Sequence, residues 1–201
     1  YPTLTYGYIA STVTSIPSSD IVDWVLVELR TGTVVGTKVA TRAAFLKSDG
    51  TIVDTNGLAP VKFIGLGDGN YYVVVRHRNH LSIMSASTIS LSSDSVLYDF
   101  STAQSQAYGI NPMKDLSGGV APYGMWMGDV NSDGVVKYNL GSNDRLLIYN
   151  RIGNAGVNIT VLGYYNEDVN MDGIVKYNLS NNDRLLIYNV IGNSGVNLTK
   201  S

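Results

Sequence analysis

Asp129, Asn131 and Asp133, followed by Gly134, put oxygen-bearing side chains at alternate positions ahead of a residue free to turn, and Asp168, Asn170, Asp172 and Gly173 repeat the pattern 39 residues later. Alternate side chains meet at one point only if the backbone curls around it. Carboxylates brought that close repel unless a cation sits between them. Hard oxygen donors at loop positions 1, 3 and 5, with glycine at position 6, suit calcium. The next donor in such a loop is a backbone carbonyl, here that of Val135 or Ile174, so the apolar side chains are no obstacle. An ordinary loop closes with a bidentate Glu at position 12, where this chain has Leu140 or Leu179. The nearest downstream carboxylates are Asp144 and Asp183, reached across extra residues such as Tyr138 to Gly141. The expectation is therefore two Ca²⁺ sites, one from Asp129, Asn131, Asp133, Val135 and Asp144, the other from Asp168, Asn170, Asp172, Ile174 and Asp183. A metal-free Asx-rich turn would explain one such stretch, and its recurrence weighs against that.

The loops belong to a longer duplication. Asp129 to Thr160 and Asp168 to Thr199 match at 25 of 32 positions. Asp144 and Asp183 each open an apolar-periodic stretch ending in Ile-Gly, the pattern of a short helix. Calcium would fold each loop and aim that helix. Leu147, Ile148 and Ile152 would then pack with Leu186, Ile187 and Ile191 about an approximate two-fold axis.

Residues 1–108 read as all-β. Alternation recurs in Tyr6 to Val13, Trp24 to Arg30, Val34 to Ala43, Val61 to Gly65, Tyr71 to His77, Ser87 to Leu91 and Val96 to Phe100, with Gly and Asn turns between. Seven short strands of this kind predict a sandwich. Residues 109–126, with Pro112, Gly118, Gly119 and Pro122, form a connection to a calcium-binding domain at 127–201. The fold class is mainly β with a small α part.

The order Asp-x-Asn-x-Asp-Gly, a short segment, then an Asp-led helix ending in Ile-Gly, all duplicated, resembles the two half-repeats of a dockerin. Dockerins are calcium-binding docking modules of extracellular assemblies. The sequence from about residue 20 to 199, with DWVLVELR, NYYVVVRHRNHLSIMS, SGGVAPYGMWMGDVNSDG and EDVNMDG in order, also looks like the C-terminal region of large secreted or surface proteins of Bacteroidetes-type bacteria. Gly65 to Val75 resembles the glycine turn and strand of prealbumin-like and carboxypeptidase-regulatory-like sandwiches. The chain departs from a dockerin in the four extra residues, and in Ser142-Asn143 and Asn181-Asn182, which replace the residues dockerins present to a cohesin.

Composition narrows the function classes. The formal net charge of −2 gives nucleic acid or an anionic membrane no electrostatic attraction, and six of the 16 acidic residues are the proposed ligands. There is no cysteine, and no run approaches the roughly 18 apolar residues of a membrane span. No signal peptide is evident, and Tyr1 at the start is what a product cut from a longer precursor would show. The first 19 residues carry no charge and are rich in strand formers, which suits a strand that completes its own sheet or adds to a neighbour's. His77 and His80 cannot share a strand face and read as a basic strand end rather than a metal pair. The 14 tyrosines suit sandwich faces and interfaces better than glycan stacking. Asn158, Asn178 and Asn197 each begin an N-x-Ser/Thr sequence, and Asp94-Ser95-Val96 resembles a short O-glycosylation signal.

Nothing here composes a nucleophile with its base, or a phosphate-binding glycine loop. The chain is expected to be a non-enzymatic, secreted, calcium-stabilised structural protein, a subunit of a bacterial cell-surface filament or matrix whose partner is a second copy of itself. The alternatives are a docking module for a cohesin-like receptor, and a carbohydrate-binding module using Trp24 or Trp126.

Overall fold

The computed structural model describes Tyr8 and residues 12–93, 97–192 and 199–200. It is mainly β, with antiparallel sheets and two α-helices among those residues. The described chain divides into two compact units, one running to Arg78 and resuming over Ser82–Gly124, the other made of Asn79–Leu81 and the chain from Met125 onward. The first unit thus takes in most of the expected connection.

β1 (Ile21–Arg30), β2 (Lys38–Lys47), β3 (Ile52–Val53), β4 (Gly69–His77), β5 (His80–Met84) and β6 (Ile89–Leu91) form a six-stranded sheet in the order β3-β2-β1-β4-β5, with β6 paired to β4; all of it belongs to the first unit except His80 and Leu81 at the start of β5, which group with the second. The central place falls to β1, and its register explains why: Val25 faces Ala44 on β2, while Val27 faces Val75 on β4. Every residue from Val25 to Arg30 is buried, so both faces of β1 are covered. One face carries Val25, Val27 and Leu29; the other carries Leu26 with Glu28 and Arg30. Trp24 packs on Phe45 at a 4.2 Å centroid separation. A small hairpin, β7 (Lys114–Asp115) with β8 (Tyr123–Gly124), completes the unit.

Several expected strands shift. Val34 to Ala43 divides into a 3-10 turn at Val35–Thr37 and the start of β2. Val61 to Gly65 is not a strand, because the chain bends there and Leu66 N–H reaches back to Phe63 O. The Val96 to Phe100 segment, in its described part, leads into a 3-10 turn at Phe100–Thr102 capped by Asp99. The N-terminal strand at Tyr6 to Val13 and the Asp94-Ser95-Val96 signal fall largely or wholly outside the described residues. β5 was not expected: its approach through Arg78-Asn79 lacks a glycine turn signal.

The second unit contains β9 (Val136–Lys137), α1 (Asp144–Arg151), β10 (Thr160–Leu162), β11 (Ile174–Lys176), α2 (Asp183–Val190) and β12 (Thr199–Lys200). The pairing is crossed. β10, which follows the first helix, pairs with β11 of the second copy, and β12, which follows the second helix, pairs with β9 of the first. Thr160 faces Lys176 and Thr199 faces Lys137, positions related by the 39-residue offset. The core shares that symmetry: Val130 and Val169, Val136 and Val175, Ile148 and Ile187, Ile152 and Ile191 are all buried. Leu147 and Leu186 pack against this cluster half-buried. Tyr138 stacks on Tyr188 and Tyr149 on Tyr177, each pair at 5.1 Å. The two copies are therefore halves of one core. Val190 is buried in it, whereas its counterpart Arg151 covers the Tyr165 ring and pairs with Glu167 at 3.0 Å.

Candidate metal centres

Each acidic loop is positioned by the helix that ends it. Asn143 caps α1, its side-chain oxygen accepting from Leu146 N–H at 2.9 Å, and Asn182 caps α2 through Leu185 N–H at 2.9 Å. The same side chains donate back to Leu140 O and Leu179 O, each at 2.7 Å. Asn143 and Asn182 thus serve as helix caps. The extra residues before them hold left-handed conformations at Leu140 and Leu179 (φ 73° in both) and supply Tyr138 and Tyr177 to the core.

Within the first loop each carboxylate is held by backbone N–H groups. Asp129 accepts from Asp133 N–H at 3.0 Å and from Gly134 N–H at 3.1 Å. Gly134 adopts φ 83°, the left-handed turn its position requires. Asn131 Oδ1 accepts from Asp133 N–H at 3.0 Å, and Asp133 Oδ1 from Val135 N–H at 2.9 Å. Asp144 closes the loop: Oδ1 accepts from Val130 N–H at 2.8 Å and Oδ2 from Lys137 N–H at 2.7 Å. In the second loop Asp168 takes the N–H groups of Asp172 and Gly173, Asn170 and Asp172 repeat their counterparts, and Ile174 N–H bonds Asp172 Oδ1. Asp183 takes Val169 N–H and Lys176 N–H, each at 2.7 Å. Both loops therefore fold around the acidic residues picked out by spacing.

Burial gives these acids an electrostatic cost. Asp144 and Asp183 are fully buried, and Asp129 and Asp168 nearly so. Burial lifts the Asp144 carboxyl to about 7, against the pull of the Lys137 and Val130 N–H groups and with the Asp129 charge adding to the rise. Burial likewise raises Asp129 to about 6 and Asp183 to about 6. Burial is the largest influence on Asp133 and Asp172 and opposes their charge, but lysine, the Val135 or Ile174 N–H and the Asn131 or Asn170 amide together outweigh it, and both lie below the usual range. Lys137 Nζ sits 2.6 Å from Asp133 Oδ2, and Lys176 Nζ contacts Asp172 Oδ2 in the same way.

Among the described residues no three Asp, Glu, His or Cys side chains are gathered as a ready metal-holding group. A hard cation would need a mixed donor set, with carboxylates supplemented by the Asn131 or Asn170 amide oxygen and a main-chain carbonyl. The chemistry of the donors fits calcium in that form, because all are oxygens.

Three residues that hold the loops, Lys137, Lys176 and Asn79, were not picked out by the motifs. Lys137 and Lys176 occupy matching places in the repeats, so the duplication itself could have drawn attention to them. Asn79 had no such signal. It is fully buried, donates through Nδ2 to Asp168 O at 2.7 Å and Asn166 O at 3.1 Å, and accepts Gly128 N–H at 2.8 Å on its backbone oxygen. One residue thereby pins the entry of both loops. Gly128 permits the close approach there: at φ 105°, an added Cβ would lie 3.1 Å from Val136 Cγ1 and 3.2 Å from Ile187 Cγ1. His77 is buried in the first unit beside Asp23, whereas His80 belongs to the second.

No protein-family model matches the chain, and no curated protein or solved structure matches it significantly. Among the described residues no helix is long and apolar enough to cross a membrane.

Proposed function

We propose that the chain is a secreted, non-enzymatic structural module whose duplicated loops bind Ca²⁺, with a dockerin-like second unit following a β-sandwich. The supporting observation is the pair of buried acidic loops, in which Asp129 and Asp144, and again Asp168 and Asp183, are held inside by N–H groups. Calcium would be held by Asp129, Asn131, Asp133, the Val135 carbonyl and Asp144, and by Asp168, Asn170, Asp172, the Ile174 carbonyl and Asp183. Its charge would offset the repulsion and desolvation these acids carry. The chain's own residues supply the mechanical part: each closing aspartate opens a helix, and each loop leads into a strand paired with the other copy. Order in one loop then reinforces order in the other, and binding energy becomes folding energy.

Such a calcium-rigidified module suits a repeated subunit of an extracellular filament or matrix, with the uncharged N-terminal segment donated to a neighbouring copy. Head-to-tail donation that does not close on itself generates fibres. A second reading, a docking module for a separate receptor, draws on matched exposed leucines: Leu140 and Leu146 are each 48% exposed, their copies Leu179 and Leu185 each 47%. Electron microscopy with light scattering, in millimolar calcium and again after EDTA, separates them. Filaments in calcium that fray on chelation are the expected result. Monomers in both conditions would overturn the assembly reading in favour of docking.

A further inference from the structure

The residue that answers the acidic loop from within is a lysine, and it does so twice. Lys137 makes two ties at once: its backbone N–H holds the closing Asp144 at 2.7 Å, while its ammonium holds Asp133, in the middle of the loop, at 2.6 Å. Lys176 repeats both ties, its N–H to Asp183 at 2.7 Å and its ammonium to Asp172. Both lysines lie on the crossed strands, facing Thr199 and Thr160. The Lys137 and Lys176 side chains are largely covered, at 18% and 14% exposed, while the ion pairs they make lie at the surface. Asp133 Oδ2, besides, accepts Asn131 Nδ2, and its Oδ1 is taken by Val135 N–H. A cation arriving in the loop would thus meet a carboxylate already engaged and a positive charge already in place.

We infer that Lys137 and Lys176 are built-in counter-ions that hold each loop closed without metal and compete with calcium for Asp133 and Asp172. The inference rests on the calcium-binding reading and adds its regulation: the lysines set the calcium concentration at which the module tightens. An ammonium a few ångströms from a divalent ion repels it, so removing the lysine charge raises calcium affinity. The same removal leaves the metal-free loop with its carboxylates uncompensated, so the chain without calcium becomes less stable. Opposite signs in these two quantities distinguish a competing counter-ion from a lysine that merely packs, whose loss would lower both.

The test uses the full chain with Lys137→Met and Lys176→Met together, the single Lys137→Met, and a charge-retaining Lys137→Arg/Lys176→Arg control. Isothermal titration with CaCl₂ and thermal unfolding in EDTA are read for each. The expected result is calcium affinity tighter by about threefold per site in the Met variants, the scale of one partly exposed ion pair, with a lowered melting temperature in EDTA. The Arg variant should stay near the parent in both, and the single variant should sharpen one site alone. Should the parent bind calcium while the Met variants bind it equally or more weakly, the counter-ion inference falls and the calcium reading stands. No binding heat from parent or variants in millimolar calcium overturns both.

Discussion

The two units bury acids in different company. In the first, Asp23 lies 2.9 Å from Arg78 Nε and 3.1 Å from His77 Nε2, and Glu28 lies between Arg30 and Arg76. Those acids come with cations from neighbouring strand positions, so the sheet neutralises itself. In the second, Asp144 and Asp183 are buried on backbone N–H groups, while the loop lysines Lys137 and Lys176 pair with the less buried Asp133 and Asp172. Backbone dipoles can orient a carboxylate but carry no net charge to cancel it. A buried acid with a cation beside it is compensated in place, whereas one held by N–H groups carries a desolvation cost.

Breaking the first arrangement has the largest expected effect. Glu28→Gln strands the buried Arg30 and should cost about 3–5 kcal/mol, the usual consequence of removing one partner of a buried pair. Chemical denaturation should show that loss equally with calcium and with EDTA. A loss rescued by calcium would mean that the self-neutralised sheet is not independent of metal.

The pH response sharpens the contrast from the other side. Asp129, Asp144 and Asp183 have folded values raised to about 6 to 7, above the value near 4 of an unfolded carboxyl. Metal-free folded chain therefore holds protons that the unfolded chain releases, and the stability these groups contribute is present below about pH 4 and lost as pH rises through about 6 to 7. Thermal unfolding in EDTA should give a lower melting temperature at pH 8 than at pH 5, with the trend reversed in saturating calcium, where protons and metal compete. A flat profile in EDTA would show that these acids carry no desolvation cost.

The smallest effect tests the equivalence of the repeats. Asn143→Ala and Asn182→Ala each remove a helix cap and should each cost about 1 kcal/mol. Denaturation midpoints that differ strongly between the two would show that the copies are not energetically alike.

How much of this could be read beforehand varies with range. β1 and β4 were legible because Val, Leu and Tyr crowd Trp24 to Arg30 and Tyr71 to His77, and each strand is flanked by turns. The hairpin strand β5 was not, since Arg78-Asn79 turns without glycine and, beyond its pairing with β4, Leu81 N–H bonds Trp126 O far along the chain. Asn143 and Asn182 could be read as substitutions at a recognition surface, and only their bonds to Leu146 and Leu185 reveal caps. Asn79 was invisible, its partners Asn166 and Asp168 lying far along the chain.

The sequence by itself determined that two loops would curl alike around alternate oxygens and open two like helices. Those bonds, Asp129 to Gly134 or Asn143 to Leu146, span only a few residues, so the repeated letters carry them. Only the tertiary structure decided that each copy's strand would pair with the other copy and that the closing aspartates would be fully buried. Strand pairing and burial depend on which distant segment folds over a residue, and neither the spacing nor the repeat encodes that choice locally.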